Sequence, residues 1–232
     1  MSMKANSRRG KLRLLISAGP TREPLDPVRY LSNESTGYMG ASLAAEALAR
    51  GHQVTVVCGP VSEPFPSGAR LLPVVDARQM ERAMRRWTRA ADAVIMAAAV
   101  ADFRPTHPAA LKLSRRKHLT LRLEATPDII GRLPRRSNQV MTGFAIETGS
   151  GLVRAARKLR EKRLDLLVAQ QAVGRSPFGR RRVRAWLLER GGRVTDLGWA
   201  AKPAVARALL DKIETLWYGQ PKRRQTVHAT ET

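Results

Sequence analysis

Residues 17–40 read SAGPTREPLDPVRYLSNESTGYMG and place a long polar loop where a nucleotide-binding fold usually has a tight turn. An apolar run of strand type, residues 12–16, precedes the loop, and apolar residues at helical spacing follow it between Leu43 and Leu48. Gly51 stands where the C-cap of this helix is expected. The order is therefore strand, loop and helix. In open α/β sheets, the loop that leaves the carboxyl end of a strand is where ligands bind.

Two glycines at the end of this loop, Gly37 and Gly40, resemble the second half of a dinucleotide-binding glycine motif. The first half of that motif is replaced by the loop, which is rich in Pro, Arg and Asp. One interpretation is that the glycines only permit close packing of the helix and that the loop is an ordinary surface connection. Loops of this length are more often functional or disordered, and we therefore favour a binding loop.

The remainder of the chain alternates strand and helix patterns, which predicts a doubly wound, mostly parallel, Rossmann-like α/β sheet. Strands are predicted at residues 53–57, 71–75, 93–97, 139–144 and 164–169, and helices at residues 77–90, 151–163 and 200–217. Residues 183–189 are expected to pair with residues 193–197 across Gly191 and Gly192. The apolar strand at 93–97 delivers residues 98–102 to the same edge as the first loop. The meeting of these two segments at one edge of the sheet predicts a ligand-binding site there.

One segment departs from the alternation of strands and helices. Leucines alternate with other residues at Leu111 and Leu113 and again at Leu119, Leu121 and Leu123, and a basic stretch, residues 114–118, separates the two sets. This pattern predicts a β-hairpin arm that leaves the sheet, at about residues 108–124.

Composition sets independent bounds on the class of protein. A length of 232 residues with 43% hydrophobic residues supports one domain with a sizeable core. Cys58 is the only cysteine, so we expect no intrachain disulfide, a reducing compartment and a structural role for this residue on a strand. The apolar stretch at 93–101 is well short of the ~20 residues that a membrane span needs. We expect a cytoplasmic protein with a basic tail at residues 1–11 and a disordered polar tail at residues 218–232.

The net charge of +23 is extreme for a metabolic enzyme. Basic clusters attract phosphorylated metabolites, and they also attract nucleic acid nonspecifically by counterion release. Aromatic residues make up only 5% of the chain, and no nucleic-acid-binding motif accompanies the charge. We therefore favour a general compositional bias over a dedicated nucleic-acid-binding module, which remains an alternative. The basic clusters lie at residues 82–89, 115–117, 135–136, 180–184 and 222–224.

Read as a whole, residues 19–40 closely resemble the signature of phosphopantothenoylcysteine synthetases, and the later motifs of that family follow in the same order. The resemblance covers residues 12–217, which we interpret as the synthetase domain. The further motifs are AAAVAD at residues 97–102, Lys112, TPDII at residues 126–130, GFAIET at residues 143–148, Lys158 and Lys162.

The resemblance implies ligation of 4′-phosphopantothenate with L-cysteine, dependent on CTP and Mg²⁺, through an acyl-cytidylate. CMP and pyrophosphate would be released. It also implies a homodimer, with the arm near residues 114–118 closing over a site. The flavin-dependent decarboxylase half that many bacteria fuse to this domain has no counterpart here, so decarboxylation is expected from a separate chain. A nicotinamide-dependent oxidoreductase is the rival use of such a sheet, but the interrupted glycine motif and the lack of a Tyr-x-x-x-Lys pair disfavour it.

Family positions assign a nucleotide site whose residue types suit a triphosphate, since ammonium groups are point-charge partners for phosphate oxygens. Lys158 and Lys162 are four residues apart and lie on one helix face, although a surface charge is the alternative for either. Asp102 could instead be a helix cap or an ion-pair partner, and Phe144 a core residue. Thr126 is expected to cap a helix that begins at Pro127. The implied nucleotide-binding residues are Met96, Ala97, Ala98, Asp102, Lys112, Pro127, Asp128, Ile129, Ile130, Phe144, Lys158 and Lys162.

The residues implied in catalysis are Asn33, Lys112 and Arg29. The amide of Asn33 is both donor and acceptor without charge, which suits orientation of an acyl phosphate during attack by the cysteine amine. A turn residue is the alternative for Asn33. The substrate loop is further implied to use Gly19, Arg22, Asp26, Gly37 and Gly40. The metal ligands remain unknown, because no metal motif specifies them.

The chain also departs from the family pattern at several positions. Ser114 and Arg115 stand where the family usually carries further lysines. Gln170 and Gln171 replace the usual Asn-Asp pair, which removes a carboxylate, and Tyr38 occupies a position that is usually basic. Ser114 and Arg115 are expected to change part of the phosphate contacts of the arm.

Overall fold

A computed structural model describes residues 10–148, 152–172 and 177–220, in which the chain forms twelve strands and five helices. The strands are β1 (Arg13–Ala18), β2 (Arg22–Pro24), β3 (Tyr30–Ser32), β4 (Gln53–Cys58), β5 (Arg70–Pro73), β6 (Ala93–Met96), β7 (Phe103–Pro105), β8 (Leu123–Ala125), β9 (Val140–Glu147), β10 (Leu166–Gln171), β11 (Val183–Glu189) and β12 (Val194–Ala200). The helices are α1 (Tyr38–Ala49), α2 (Ala77–Thr88), α3 (Ile129–Arg132), α4 (Leu152–Glu161) and α5 (Lys202–Tyr218).

Eight strands form the central sheet in the order β12-β11-β10-β9-β6-β1-β4-β5. The six strands from β10 to β5 are parallel, while β11 and β12 add an antiparallel edge. The predicted hairpin across Gly191 and Gly192 is confirmed as β11 and β12. The doubly wound, mostly parallel Rossmann-like fold is thereby confirmed.

Helices cover both faces of the sheet. On one face α1 and α5 pack against alternate residues of β1, with Leu43 and Leu209 fully buried. On the other face α2, α3 and α4 bury Met80 and Met84 together with Leu159. Strands buried on both faces are apolar throughout, which explains why β6 reads as an uninterrupted apolar run. The sheet therefore leaves the carboxyl ends of its parallel strands as the edge where loops gather.

The predicted arm is present as a projecting segment, but the predicted pairing within it is wrong. The two strands at its base, β7 and β8, pair antiparallel, with Phe103 opposite Ala125, and the bond from Thr106 N to Arg122 O extends this ribbon by one step. Residues 106–122, which we call the arm, contain no strand. Leu111 is 82% exposed, because the alternating leucines have no second layer of the same chain to pack against.

His52 and Cys58, which the sequence does not assign to the predicted site, have structural roles. His52 is buried, its Nδ1 accepts from Leu12 N at 3.3 Å, and its Nε2 lies 2.9 Å from Glu214. Cys58 is buried in β4, and burial raises the pKa of its thiol.

None of the helices in the described part of the chain is both long and apolar enough to cross a membrane. Tyr218, which the sequence analysis assigned to the polar tail at residues 218–232, belongs to α5. Residues 1–9 and 221–232 lie outside the described residues.

Candidate active site

The segments that leave β1 and β6 are joined at the carboxyl edge of the sheet. Ala99 N donates to Gly19 O at 2.9 Å, and Thr21 N donates to Ala99 O at 3.4 Å. Ala98 N donates to the hydroxyl of Ser17 at 3.2 Å. The predicted convergence of the first loop with residues 98–102 is therefore confirmed.

The side chain of Asn33 lies at this junction. Its Nδ2 donates to Ala99 O at 2.9 Å, across 66 residues of sequence. The neighbouring Ser32 hydroxyl donates to Thr21 O at 2.8 Å, and the Thr21 hydroxyl accepts from Ala101 N at 3.0 Å. Asn33 thus does more than complete a local turn, because it links the loop to the end of β6. Asn33 is an exposed residue and lines the cavity described next.

A cavity of about 750 Å³ opens beside this junction. Its volume falls within the range of about 300–1,000 Å³ that is typical of small-molecule sites. Most of the residues implied by the family resemblance line it, and they come from the first loop, from the segment after β6, from α3 and from α4. These lining residues are Asn33, Gly37, Gly40, Met96, Ala97, Ala98, Asp102, Pro127, Asp128, Ile129, Ile130, Phe144, Lys158 and Lys162.

The glycines of the first loop satisfy both interpretations offered for them. Gly37 has φ +87°, and a Cβ on Gly40 would lie 2.3 Å from the Cβ of Ala18. Only residues without a side chain therefore let α1 begin so close to β1. This close packing also places the first turn of α1 on the cavity wall, where backbone N–H groups favour anions.

The side of the cavity formed by α3 and α4 carries two of the implied lysines. Lys162 Nζ lies 2.8 Å from Asp128 Oδ1. Burial lowers the pKa of Lys158, and the neighbouring Lys162 lowers it further. Asp102 is exposed at this margin, and its side chain makes no hydrogen bond or ion pair with another described residue. An anion bound here would stabilise the two ammonium groups, which repel each other in its absence.

The predicted cap of the helix near residue 127 is wrong. Helix α3 begins at Ile129, and its N-cap is Asp128, whose carboxylate accepts from Gly131 N. Thr126 instead donates its hydroxyl to Ala101 O, and its backbone N donates to Asp102 O at 2.9 Å. A tertiary hydrogen bond therefore replaces the local cap, and it fixes α3 to the segment after β6.

Five implied residues lie outside the cavity wall, namely Gly19, Arg22, Asp26, Arg29 and Lys112. Lys112 is exposed on the arm. Gly19 has φ +75° and takes the sharp turn after β1, while Arg22 places its guanidinium 4.5 Å from the centre of the Tyr30 ring. These two residues shape the loop without lining the cavity.

Asp26 and Arg29 connect the loop to the arm. Arg29 Nε donates to Asp26 Oδ2 at 2.9 Å, and Arg29 Nη2 donates to Leu113 O at 2.7 Å. Leu113 N in turn donates to Asp26 Oδ2 at 3.1 Å. The bond from Arg29 holds the pKa of the buried Asp26 carboxyl well below its ordinary value. The neighbour of Lys112 is thereby fixed to the substrate loop, although Lys112 itself is not.

Sequence reasoning missed Lys202, which lines the opposite side of the cavity at the start of α5. Its side chain is buried, Nζ donates to Gly179 O at 2.7 Å, and burial lowers its pKa to about 8. A signal for this residue does exist, because a cation at the first position of a helix is opposed by the helix dipole. Gln170, Phe178 and Gly179 also line this side.

The departure at Tyr38 has a visible counterpart. The guanidinium of Arg180 lies 5.0 Å from the centre of the Tyr38 ring, and its Nη2 lies 2.9 Å from Glu63 Oε2. Arg180, which belongs to a different segment, therefore supplies a positive charge beside Tyr38, where the family pattern usually has a basic residue.

The site offers few protein ligands for a metal ion. No group of three or more His, Cys, Asp or Glu side chains within residues 10–148, 152–172 and 177–220 could hold one. Asp102 and Asp128 are the carboxylates among the described lining residues. This donor set suits Mg²⁺ that arrives with a triphosphate, since Mg²⁺ is usually bound by one or two carboxylates plus substrate phosphates.

A mostly parallel α/β sheet, a glycine-bordered helix start and a lysine-lined cavity at the strand ends define a Rossmann-like domain with a site suited to phosphorylated ligands. The chain belongs to the DNA/pantothenate metabolism flavoprotein C-terminal domain family, whose sequence profile matches residues 9–216. The resemblance to phosphopantothenoylcysteine synthetases that the motifs indicated is confirmed by this match.

Individual relatives agree with this assignment. The bifunctional coenzyme A biosynthesis protein CoaBC of Borreliella burgdorferi is 34% identical over 203 residues, which cover 85% of this chain and 51% of that protein. CoaBC of Escherichia coli K12 is 40% identical over 164 residues, which cover 68% and 40%. A cysteine/cysteine sulfinic acid decarboxylase from an unknown prokaryotic organism is 36% identical over 209 residues, which cover 88% and 58%. The chain spans about half the length of these relatives.

Solved structures show the same fold. The crystal structure of the C-terminal domain of CoaBC is 34% identical and superposes with a TM-score of 0.78, covering 91% of this chain and 98% of that one. A Cab2 mutant in complex with phosphopantothenate-cysteine superposes with a TM-score of 0.69 at 17% identity, covering 90% and 88%. At that identity the second comparison supports the fold alone.

Proposed function

We propose that this chain joins 4′-phosphopantothenate to L-cysteine in coenzyme A biosynthesis, with CTP as the activating nucleotide. The family match and the CoaBC relatives support this activity, and Cab2, which has the same fold, has been observed in complex with phosphopantothenate-cysteine. The observation that carries the proposal is the hydrogen bond from Asn33 to Ala99, which places an uncharged amide beside a nucleotide-sized cavity.

The chemistry follows from the poor electrophilicity of a carboxylate. In the first half-reaction, a carboxylate oxygen of phosphopantothenate bonds to the α-phosphorus of CTP, and the bond to the β-phosphate breaks with release of pyrophosphate. In the second, the cysteine amine attacks the acyl carbon, loses a proton, and CMP leaves. Both steps depend on positioning and on stabilisation of developing negative charge.

The roles proposed for individual residues follow the two half-reactions. Asn33 orients the acyl phosphate through its exposed amide, and Arg29 supports the same loop. Lys158 and Lys162 face the nucleotide from α4, and Phe144 packs beside its base. Lys112 reaches the triphosphate when the arm closes. Asp102, Met96, Ala97, Ala98 and residues 127–130 complete the nucleotide side of the cavity.

Mg²⁺ is proposed to accompany the triphosphate. When bound, it neutralises charge on the departing pyrophosphate. Asp102 is the carboxylate that we expect to hold it, because Asp128 already pairs with Lys162. A choice of CTP over ATP is part of the proposal, and the nucleotide comparison below tests it.

We further propose that the chain acts as a homodimer and that a separate flavin-dependent decarboxylase consumes its product. Support for the dimer comes from the arm and its base, where Leu111, Leu119, Leu121 and Leu123 are exposed, with Leu111 at 82%. A second copy would cover this apolar surface. A monomeric mass by light scattering at working concentration, together with full activity, would contradict the dimer.

Product analysis tests the proposed function directly. The purified chain is incubated with 4′-phosphopantothenate, L-cysteine and Mg²⁺, separately with CTP and with ATP. We expect phosphopantothenoylcysteine together with CMP and pyrophosphate in the CTP reaction. Folded protein that forms no phosphopantothenoylcysteine with either nucleotide would refute the ligase assignment, and equal rates would refute the preference for CTP.

A further inference from the structure

The basic residues of this chain are distributed unevenly between the two faces of the sheet. Within their helical bounds, α2, α3 and α4 on one face carry nine basic and two acidic side chains, whereas α1 and α5 on the other face carry three of each. A general compositional bias towards arginine would act on both faces alike. The excess of positive charge on one face therefore needs a separate explanation, and basic surfaces of this kind attract polyanions.

Helix α2 contributes to this excess through a row of five exposed arginines. At about 100° per residue, the five side chains fall within one sector of about 100° on the helix surface, and the row is about 16 Å long. Among the described residues, these arginines have no ion-pair or side-chain hydrogen-bond partner, except that Arg85 Nη2 donates to Arg132 O at 3.4 Å. The arginine row consists of Arg78, Arg82, Arg85, Arg86 and Arg89.

The stability of the helix does not explain the arginine row. Like charges three or four residues apart on a helix repel each other, and the helix dipole favours cations in the last turn only. The last turn includes Arg85 and Arg86, but Arg78 and Arg82 lie before it. Glu81, the acidic residue of this helix, lies 4.0 Å from the guanidinium of Arg132 on α3. A polyanion bound along the helix would therefore relieve a repulsion that the described residues leave in place.

A cleft of about 410 Å³ adjoins the C-terminal end of the row. Ala90, the residue after the row, lines it together with Trp87, and the guanidinium of Arg70 lies 4.2 Å from the centre of the Trp87 ring. Arg70 is exposed. Guanidinium planes and aromatic rings are the surfaces on which the bases of single strands stack. Gln53 and Thr55 also line the cleft, and their side chains can hydrogen-bond to base edges.

We infer that the arginine row of α2 and the adjoining cleft form a binding surface for single-stranded nucleic acid. The row contacts the phosphates of the strand, and the cleft takes an unstacked base against Arg70 and Trp87. A duplex keeps its bases stacked, so it would use the row without the cleft. The surface is separate from the active-site cavity, because none of its residues lines that cavity. The inference therefore does not depend on the proposed function.

The test is fluorescence anisotropy of the whole chain with a labelled single strand of about 16 nucleotides, the upper end of the site sizes typical of such surfaces. RNA and DNA of the same sequence are compared, and the tighter probe identifies which strand the surface prefers. The double substitution Arg82→Gln with Arg86→Gln removes two phosphate contacts. Each contact contributes about 0.7 to the slope of log K against log salt. We therefore expect the slope to fall by about 1.4 and the Kd at about 0.1 M salt to rise about 25-fold.

A matched double substitution separates this surface from net charge. Arg193→Gln with Arg207→Gln removes the same charge from two exposed positions outside the row, one in the turn between β11 and β12 and one on α5. We expect its Kd to stay within about twofold of the wild type, because charges beyond about 10 Å are screened at this salt concentration. Equal weakening by the two double substitutions would overturn the inference, since binding would then follow net charge alone.

Arg70→Lys tests the cleft independently, because it keeps the charge and removes the flat guanidinium. The Kd for the single strand should rise about 5- to 10-fold, the lower range for the loss of one stacked base, with an unchanged salt slope. The Kd for a duplex of the same sequence should not change. An unchanged Kd for the single strand would overturn the assignment of the cleft.

Two further results would overturn the whole surface. One is a wild type that does not bind the single strand at about 0.1 M salt, where such contacts are effective. The other is tighter binding to the duplex, or to phosphatidylglycerol vesicles, than to the single strand. Circular dichroism checks the fold of each variant, so the outcome is separate from the product analysis of the ligase.

Discussion

The loop at residues 17–40 and the arm at residues 106–122 are both polar and both carry implied catalytic residues, yet they are held very differently. The loop is joined to the end of β6, where Ala99 alone bonds to Gly19, Thr21 and Asn33. The arm is attached at its base, at Ala109 and at Leu113, and Lys112 is exposed. Under the proposed function we therefore expect Asn33 to occupy its working position in the free chain, and Lys112 to reach its position only when the arm closes.

The largest expected effect tests the loop. Asn33→Asp should permit activation of phosphopantothenate but slow amide formation by about a hundred- to a thousandfold, the loss typical for one oriented donor. The new carboxylate repels the anionic intermediate and loses the donor to Ala99 O. Rapid-quench analysis with labelled phosphopantothenate should show acyl-cytidylate accumulating.

A matched substitution provides the control for this prediction. Asn138→Asp changes the same side chain at an exposed position outside the cavity wall, and it should leave both half-reactions unchanged. Unaltered amide synthesis by Asn33→Asp would remove Asn33 from the proposed mechanism. It would also mean that the loop does not hold a catalytic side chain in its working position in the free chain.

The next effect tests the arm. Lys112→Gln should lower the rate of pyrophosphate formation by about a hundredfold, because a cation facing the triphosphate is lost, and no acyl-cytidylate should accumulate. Lys11→Gln, an exposed position preceding β1, is the control. A Lys112→Gln variant that forms acyl-cytidylate at the normal rate would mean that the arm does not take part in activation.

A smaller effect tests the link between the two regions. Asp26→Asn keeps the shape of the side chain but weakens the bonds to Arg29 and to Leu113 N. Supporting residues of this kind typically contribute about 10- to 100-fold, and we expect the lower end, as a slower activation step. In a Lys112→Gln background the same substitution should have almost no further effect, since the two act through one contact. Fully additive losses would show that Asp26 does not act through the arm.

The ion pair also fixes the pH range in which this link persists. Because the bond from Arg29 holds the pKa of Asp26 well below its ordinary value of 3.8, the stability that the pair contributes is present above that ordinary value. It is lost only as the pH falls through the lower, folded-state pKa. The link should therefore hold over the whole range from pH 5 to pH 9.

The same contrast explains what the sequence could predict. Strands buried on both faces have a strong apolar signal, so the sheet, its helices and the meeting of the loop with residues 98–102 followed from the pattern. The strand pairing of the arm did not follow from it, because the pairing of Phe103 with Ala125 depends on residues far apart in sequence. Thr126 was misassigned as a cap because its hydroxyl bonds to Ala101 O instead.

Lys202 shows a different limit of prediction from the sequence pattern. A lysine beside a proline at a helix start is usually solvated. Its burial depends on the packing of α5 against the cavity and on the position of Gly179, which periodicity does not report. The motifs identified most of the cavity lining, including Lys158 and Lys162, and the structure was needed to reveal Lys202.

The smallest expected effect concerns protein stability. It compares Lys112, on the arm, with Lys202, in the cavity wall. Lys112 is solvated, so Lys112→Met should leave the free energy of unfolding at pH 7 within about 0.5 kcal/mol of the wild type. Lys202 is desolvated and unpaired, so Lys202→Met should stabilise the fold by about 1 kcal/mol, or roughly 2–4 °C in Tm for a chain of this size. A residue kept for packing would behave in the opposite way, and a destabilised Lys202→Met variant would mean that the bond to Gly179 O is its main role.

The sign of the pH dependence sharpens this last prediction. Lys202 has a pKa of about 8 in the folded state and an ordinary value of 10.5. Below pH 8 it is charged in both states, and the full cost of its burial is present. Between these two values the folded chain releases the proton before the unfolded chain does, so wild-type stability should rise with pH relative to Lys202→Met. Glu63, the carboxylate that acts on Lys202, pairs with Arg180, and both residues are retained in both proteins. Urea denaturation of both proteins at pH 7, 9 and 10 should therefore show the advantage of the variant shrinking, and a constant difference would show that the ammonium of Lys202 is not held at a cost.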